Sequence, residues 1–271
     1  QVIDSTKTDD LDDLLSDATQ GVEKFDSKEI NVKDICEQQP QMCGDLNPDS
    51  WCRAEKALII KNRYAQSQAP TDRGTYEQLL NFEAYKKCIA KASQIEHIKL
   101  KERKSERVKG LLTAERELRR LAQQTRAVDS PHLLYYHWSR FQNEEALKGF
   151  LAYENTPQME YPEMQVALAS YYIKFDRIKA IRLLYRALEL YEDDDNIDSE
   201  IFRSLSSLFM KEEQFDWAYL WGYVGREFGV DNLNLTSIEV ILHQQSKQAG
   251  PIENKAEKII DQLQDGRFKA P

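Results

Sequence analysis

The chain has 271 residues, 41% of them hydrophobic and 31% charged, with only 10 Gly and 8 Pro. That length suffices for one large helical array or two modest domains, and the scarcity of turn residues argues against an all-β fold while suiting helices with one buried stripe. A formal net charge of -9 disfavours non-specific binding to nucleic-acid phosphates, and no apolar run approaches the ~18–20 residues of a membrane-spanning helix.

Residues 1–30 are acidic and sparse in large apolar groups; Leu11, Leu14 and Leu15 allow one helical turn, and the rest reads as a linker or arm. Residue 1 is Gln rather than Met, so a processed or truncated chain is expected.

Residues 31–128 form a first region. It holds all four cysteines, Cys36, Cys43, Cys52 and Cys88. Zinc ligands come as close pairs such as C-x2-C, whereas the nearest spacing here is C-x6-C with no adjacent His, so no metal site is expected. A helix is expected from the N-cap Ser50 to about Gln68, then a turn at Pro70, Asp72 and Gly74, and a second helix from Thr75. Cys52 lies eighteen residues before Pro70 and Cys88 eighteen after it, so antiparallel packing places the two side by side within bonding reach. Cys36 then pairs with Cys43 across Pro40. Disulfides imply an oxidising compartment, the bacterial periplasm being one; four buried thiols in a cytosolic scaffold is the competing reading.

A long helical pattern runs from Thr75 to about Ala127, with Gly110 its one weak point. Its charges alternate in sign, which supports a solvated helix through i,i+4 pairs. Leu100, Val108, Leu111, Leu118 and Leu121 make a thin apolar seam suited to a strut or a two-helix contact. A nucleic-acid-binding helix is the sharper alternative, but no aromatic residue interleaves the basic run to stack on bases.

Residues 129–228 carry a repeat. Three tracts begin at Tyr135, Tyr171 and Leu208; each passes from an aromatic helix end through a polar corner to an alanine, Ala146, Ala180 or Ala218. The intervals are 34 and 38 residues, the excess following from an acidic insert at Glu192 to Asp195. A small residue early in the second helix of each pair lets the two helices approach, and large residues such as Leu168, Tyr172, Leu205, Phe209 and Phe215 fill around it. Gly222 and Gly225 occupy further close-approach positions. In period and in the placement of large and small residues this stretch resembles the tetratricopeptide superfamily. The usual opening Trp is Met164 or Phe202, and the closing Pro is missing. The resemblance implies an all-α helical hairpin array, a tetratricopeptide-like α-solenoid. With the regions before it, the expected fold is that array preceded by a disulfide-stapled helical region and a long connecting helix.

Residues 229–271 read as capping helices: Leu233 to Lys247, N-capped by Asp231 or Asn232, a break at Gly250–Pro251, then Ile252 to Leu263, ended by Gly266 and followed by a frayed tail.

Cys36, Pro40, Cys43, Leu46, Trp51, Cys52 and Arg53 lie in a segment that resembles the cysteine-bearing start of a family of gammaproteobacterial envelope lipoproteins of unknown function. The resemblance implies a lipid-modified cysteine preceding residue 1, hence tethering to the outer membrane from the periplasmic side, and assigns no activity.

No catalytic signature is found. His97, His132, His137 and His243 sit in no ligand spacing, and no G-x-S-x-G, P-loop or G-x-G-x-x-G occurs. Glu192 to Asp198 resembles a calcium loop in acidity alone, and Asn234–Leu235–Thr236 matches a glycosylation acceptor that carries no meaning in a bacterium. No cofactor and no nucleic acid is expected. The expected function is that of a non-catalytic, membrane-tethered periplasmic adaptor, with a protein or peptide partner in the concave groove lined by the first helices of the repeats. The groove residues are Tyr136, Arg140, Val166, Ser170, Lys174, Arg203, Ser207 and Lys211. Arg140, Lys174 and Lys211 recur late in each first helix and form a basic column suited to carboxylates. The alternative is an accessory or enzymatic protein acting on the cell envelope, which needs paired carboxylates at a cleft.

Overall fold

The computed structural model describes residues 31–95, 101–192 and 196–271, and those residues are all-α: twelve α-helices and two short 3-10 turns. The leucines of the N-terminal arm, His97, Leu100 and Asp193 to Asp195 of the acidic insert lie outside the described residues. Among the described residues no helix is long and apolar enough to cross a membrane. The described residues divide into two compact units, with the division between Leu118 and Arg119. The division falls inside a helix, ten residues before the boundary expected from the sequence.

In the first unit α1 (Val32–Gln38) starts at Asn31, whose side chain accepts from the Lys33 N–H. A 3-10 turn at Pro40–Met42 returns the chain, and Cys36 is bonded to Cys43 across it. Helices α2 (Arg53–Gln68) and α3 (Asp72–Ser93) form a hairpin closed by the Cys52–Cys88 disulfide, with Cα atoms 5.8 Å apart. Both pairings are those expected from the spacing. The ends of the helices differ. Ser50 does not cap α2; Cys52 stands at that position in a left-handed conformation (φ 56°). The reason is that residues 47–51 are held as a loop by Asn47 and Asp49, described below. The second helix begins three residues early, because the Thr71 hydroxyl caps the Gly74 N–H at 2.9 Å.

The continuous helix expected from Thr75 to Ala127 is interrupted. Helix α3 ends at Ser93, whose hydroxyl donates to the Ala90 carbonyl and so competes with the helical ladder. Helix α4 then runs Lys101–Thr125. The expected seam is only partly inward: Leu121 is buried and Leu111 and Leu118 are half-buried, Val108 is exposed, and Arg107, Gly110, Thr113 and Ala114 share the buried face. Small and polar residues face inward because a tyrosine hydroxyl comes close. A Cβ on Gly110 would clash with Tyr85 Oη, so at this position the glycine is a packing requirement.

The second unit contains three helical hairpins: α5 (Pro131–Phe141) with α6 (Glu144–Ala152), α7 (Pro162–Tyr172) with α8 (Arg177–Glu189), and α9 (Glu200–Lys211) with α10 (Phe215–Glu227). Pro131 and Pro162 open their helices, where the missing N–H costs nothing. Asn143 and Asp176 cap α6 and α8. Ala146, Ala180 and Ala218 are buried early in the second helix of each pair. At Ala218 the approach is tight enough for the Ser206 hydroxyl of α9 to donate to the Ala218 carbonyl of α10. A Cβ on Gly222 would meet Leu235 Cδ2 at 2.6 Å, which explains that glycine.

Helices α11 (Leu235–Gln244) and α12 (Ala249–Gln264) pack against α10. The N-cap of α11 is Asn234, accepting from Ser237 N–H, and not Asp231 or Asn232. Gly250 and Pro251 do not break the chain; they lie in the first turn of α12, where proline is compatible with a helix. Gly266 (φ 60°) ends α12 with paired bonds from Gly266 N–H to Leu263 O and Arg267 N–H to Gln262 O. The tail beyond is docked and not frayed. Phe268 is 2% exposed, and the Ala270 N–H donates to Glu189 Oε1 at 3.0 Å. Phe268 completes an aromatic core around fully buried Trp221, which stacks on Phe202, packs on Tyr185 and donates its indole N–H to the Tyr185 hydroxyl.

Candidate functional site

At the ends of the first two hairpins of the second unit, aromatic side chains run out to solvent. Trp138 of α5 meets Tyr171 of α7 edge-on at 5.7 Å, and Tyr171 meets Phe175 at 4.9 Å. Phe141, at the last position of α5, leans on His137 and Tyr136. Phe141 is 57% exposed, Phe175 61% and Ile178 48%. Large apolar groups at turns normally fold inward, so these three exposed side chains at the first two hairpin corners, Phe175 lying on half-buried Tyr171 and Tyr171 on Trp138, make up a candidate apolar ledge. Arg140 and Lys174, each one residue from an exposed phenylalanine in the chain, are exposed there too.

The expected groove residues have mixed fates. Arg140, Lys174 and Lys211 are all exposed at or just past the C-terminal ends of α5, α7 and α9, where a cation also favours the helix dipole. Ser170 and Ser207 are exposed and Val166 is half-buried. Arg203 is bonded to Glu200 and to the Asp231 carbonyl. Tyr136 requires a correction: it is 3% exposed and cannot line an open groove, because His137, Phe141 and the Arg140 guanidinium close over its ring. The structure brings Tyr136 and Arg140 together, 5.5 Å from guanidinium carbon to ring centre. The ledge residues were missed because in a repeat sequence an aromatic at a helix end reads as core; the signal available was Phe141 and Phe175 falling at polar corners.

The histidines of α5 are structural. His132 is buried against Tyr161 and meets Glu163 at 3.1 Å. His137 Nε2 lies 2.9 Å from Thr125 Oγ1, and that hydroxyl also donates to the Leu121 carbonyl, so the imidazole donates and the neutral Nε2–H tautomer fits. Burial, and then the Arg126 charge, push the His137 pKa down against the opposing hydrogen bond.

A smaller cavity of about 430 Å³ lies beside α8, with Glu154 and Glu160 on its wall. Lys179 closes onto Glu154 and over the Tyr172 ring, and Arg186 binds Glu160, so both carboxylates of its wall are already paired with cations.

The first unit has an open pocket of about 1240 Å³, walled by α1, α2, α4 and the Cys43–Ser50 loop. The loop is locked from behind. Asn47, 2% exposed, exchanges hydrogen bonds with the Tyr85 hydroxyl, which donates to Asn47 Oδ1 and accepts from the Asn47 N–H. Arg107, 1% exposed, donates from Nε to Asp49 at 2.7 Å and from Nη1 to the Ala92 carbonyl, and lies over the Trp51 ring. Lys56 reaches the carbonyls of Asn47 and Asp49. Arg63 holds Asp45 with two bonds of 2.8 Å. Burial alone would raise the Asp49 pKa, but the bonds from Arg107 and Asn47 outweigh it and hold the carboxyl below its ordinary value. Burial pushes the Tyr85 hydroxyl up to about 12. Cys52, Glu55 and Cys88 lie within metal-ligating distance of one another, but both sulfurs are consumed by the disulfide.

No curated protein and no solved structure matches the chain. The family DUF2989, described as "Protein of unknown function", matches residues 25–223, from before α1 to within α10, and so includes both disulfides and all but the end of the third hairpin. On that coverage, the chain belongs to the DUF2989 family.

Proposed function

We propose that the protein is a non-catalytic adaptor of the bacterial periplasm whose second unit is a tetratricopeptide-like array that binds a protein partner. The observation that carries this reading is the exposure of Phe141, Phe175 and Ile178 at the first two hairpin corners, with exposed Arg140 and Lys174 next to the two phenylalanines in the chain. Aromatic surface interleaved with cations suits an acidic peptide segment that carries apolar anchors, the aromatics supplying buried area and the cations orientation and rate. The buried alanine early in each second helix supports the tetratricopeptide-like assignment. The two disulfides support an oxidising compartment. A lipid anchor at the outer membrane belongs to the same proposal; fractionating the native protein would put it with outer-membrane vesicles, and recovery in the soluble periplasm would remove that part.

The test compares the intact protein with a Phe141→Ser, Phe175→Ser variant and with a Lys174→Glu, Lys211→Glu variant. All four positions are exposed, so helicity by circular dichroism should be unchanged. A partner captured from envelope extract is then purified and titrated directly. The reading expects the serine variant to weaken that binary complex by about tenfold or more and the charge reversal to slow association. Equal affinity for all three proteins would sink the ledge as the site.

A further inference from the structure

We infer that the pocket of the first unit is a binding site for a small multivalent anion, a ligand bearing two or more phosphate or carboxylate groups. In a chain of net charge -9, this one cavity collects Lys33, Arg53, Lys56, Lys61 and Lys109 from three different helices. Its acidic lining is Asp49 and Glu106, and Asp49 is already bonded to Arg107. Lys56 and Lys109 are partly satisfied by loop carbonyls, and Lys33 lies 3.8 Å from Glu37. Arg53 and Lys61 are exposed and have no ion-pair partner among the described residues. Five cations line the cavity against two carboxylates, one of them already bonded, so the lining carries a net positive charge.

The wall is also preorganised. A buried guanidinium, a buried tyrosine hydroxyl and the Cys36–Cys43 bond fix a loop that would otherwise be free to collapse. A rigid wall does not have to be ordered when ligand arrives, which is where binding sites otherwise lose affinity. A cavity of about 1240 Å³ exceeds what a single inorganic ion fills and has room for a ligand with several anionic groups. The site is independent of the ledge on the second unit.

The experiment is calorimetric titration of the full chain with two probes, inorganic tripolyphosphate and citrate, at low and at physiological salt. An Arg53→Ala, Lys61→Ala variant is compared with a Lys148→Ala, Lys258→Ala variant, which removes the same charge from exposed positions of the second unit. The inference expects saturable, salt-sensitive binding of at least one probe. It expects a loss of about tenfold or more in the first variant, since each charge-assisted bond accounts for about that factor, and no change in the second. Tripolyphosphate alone would make the ligand class phosphate-bearing, and citrate alone carboxylate-bearing. No binding of either probe at about 1 mM, or equal weakening in both variants, would overturn the site.

Discussion

Removing the disulfides one at a time separates the entropic role of each. The Cys52–Cys88 bond joins residues 36 apart in sequence, and Cys36–Cys43 joins residues 7 apart. If each acts by restricting the unfolded chain, loop-closure entropy gives about 3.8 kcal/mol for the longer loop and about 2.4 kcal/mol for the shorter. Against a typical domain stability of about 5–15 kcal/mol, losing both should leave the first unit marginal. A two-unit chain does not give one unfolding free energy, so the assay should resolve segments: hydrogen exchange read peptide by peptide over α2 and α3. Cys52→Ala, Cys88→Ala should accelerate exchange there by about 500-fold and Cys36→Ala, Cys43→Ala by about 50-fold, with peptides of α9 and α10 unchanged. If the two pairs accelerate exchange equally, or the short loop matters more, the entropic argument fails and native-state packing around the sulfurs sets their contribution.

Arg107→Leu should destabilise the first unit by about 3 kcal/mol, because it leaves Asp49 without its cation. Adding Asp49→Asn should recover part of that loss in a double-mutant cycle, and strict additivity would mean that the pair is not coupled. Because the folded pKa of Asp49 is depressed, its contribution is present above the unfolded value near 3.9 and disappears as pH falls through the folded one, so the Arg107→Leu penalty should shrink in acid. His137 has the same sign at higher pH. Its folded pKa lies below about 6.5, the unfolded chain takes up the proton first, and stability of the second unit should decline as pH falls below about 6.5. His137→Gln, which keeps a donor to Thr125, should flatten that slope, and an unchanged slope would assign the effect elsewhere. Phe268→Ala should cost about 3 kcal/mol and alter the fluorescence of Trp221, on which Phe268 packs edge-on; no change in either would show the tail to be dispensable.

What the sequence disclosed divides along physical lines. Features set by local spacing were legible. The Cys52–Cys88 pairing follows from equal distance to one turn, and the helical hairpins of the second unit follow from alanines recurring at polar corners. Features that depend on distant partners were not. The burial of Arg107 rests on Asp49, fifty-eight residues away, and no periodicity marks an arginine as core. Gly110 reads as a weak point in a helix and is instead the position that admits the Tyr85 hydroxyl. Pro251 reads as a breaker because composition does not reveal that a helix begins two residues before it. Phe268 lies in a stretch whose ending glycine and charge suggest fraying, yet it closes the core around a tryptophan forty-seven residues earlier. The same limit governs the candidate sites. The cations Arg140, Lys174 and Lys211 recur with the repeat and could be found by counting. Phe141 and Phe175 fall at polar corners, which hints at exposure, but their exposure depends on nothing folding over them, and the basic pocket depends on three helices converging, so tertiary structure is needed to establish either. Residues whose partners lie within about one turn or one hairpin are thus readable from a single sequence, and the two candidate sites are made largely of residues whose neighbours are not.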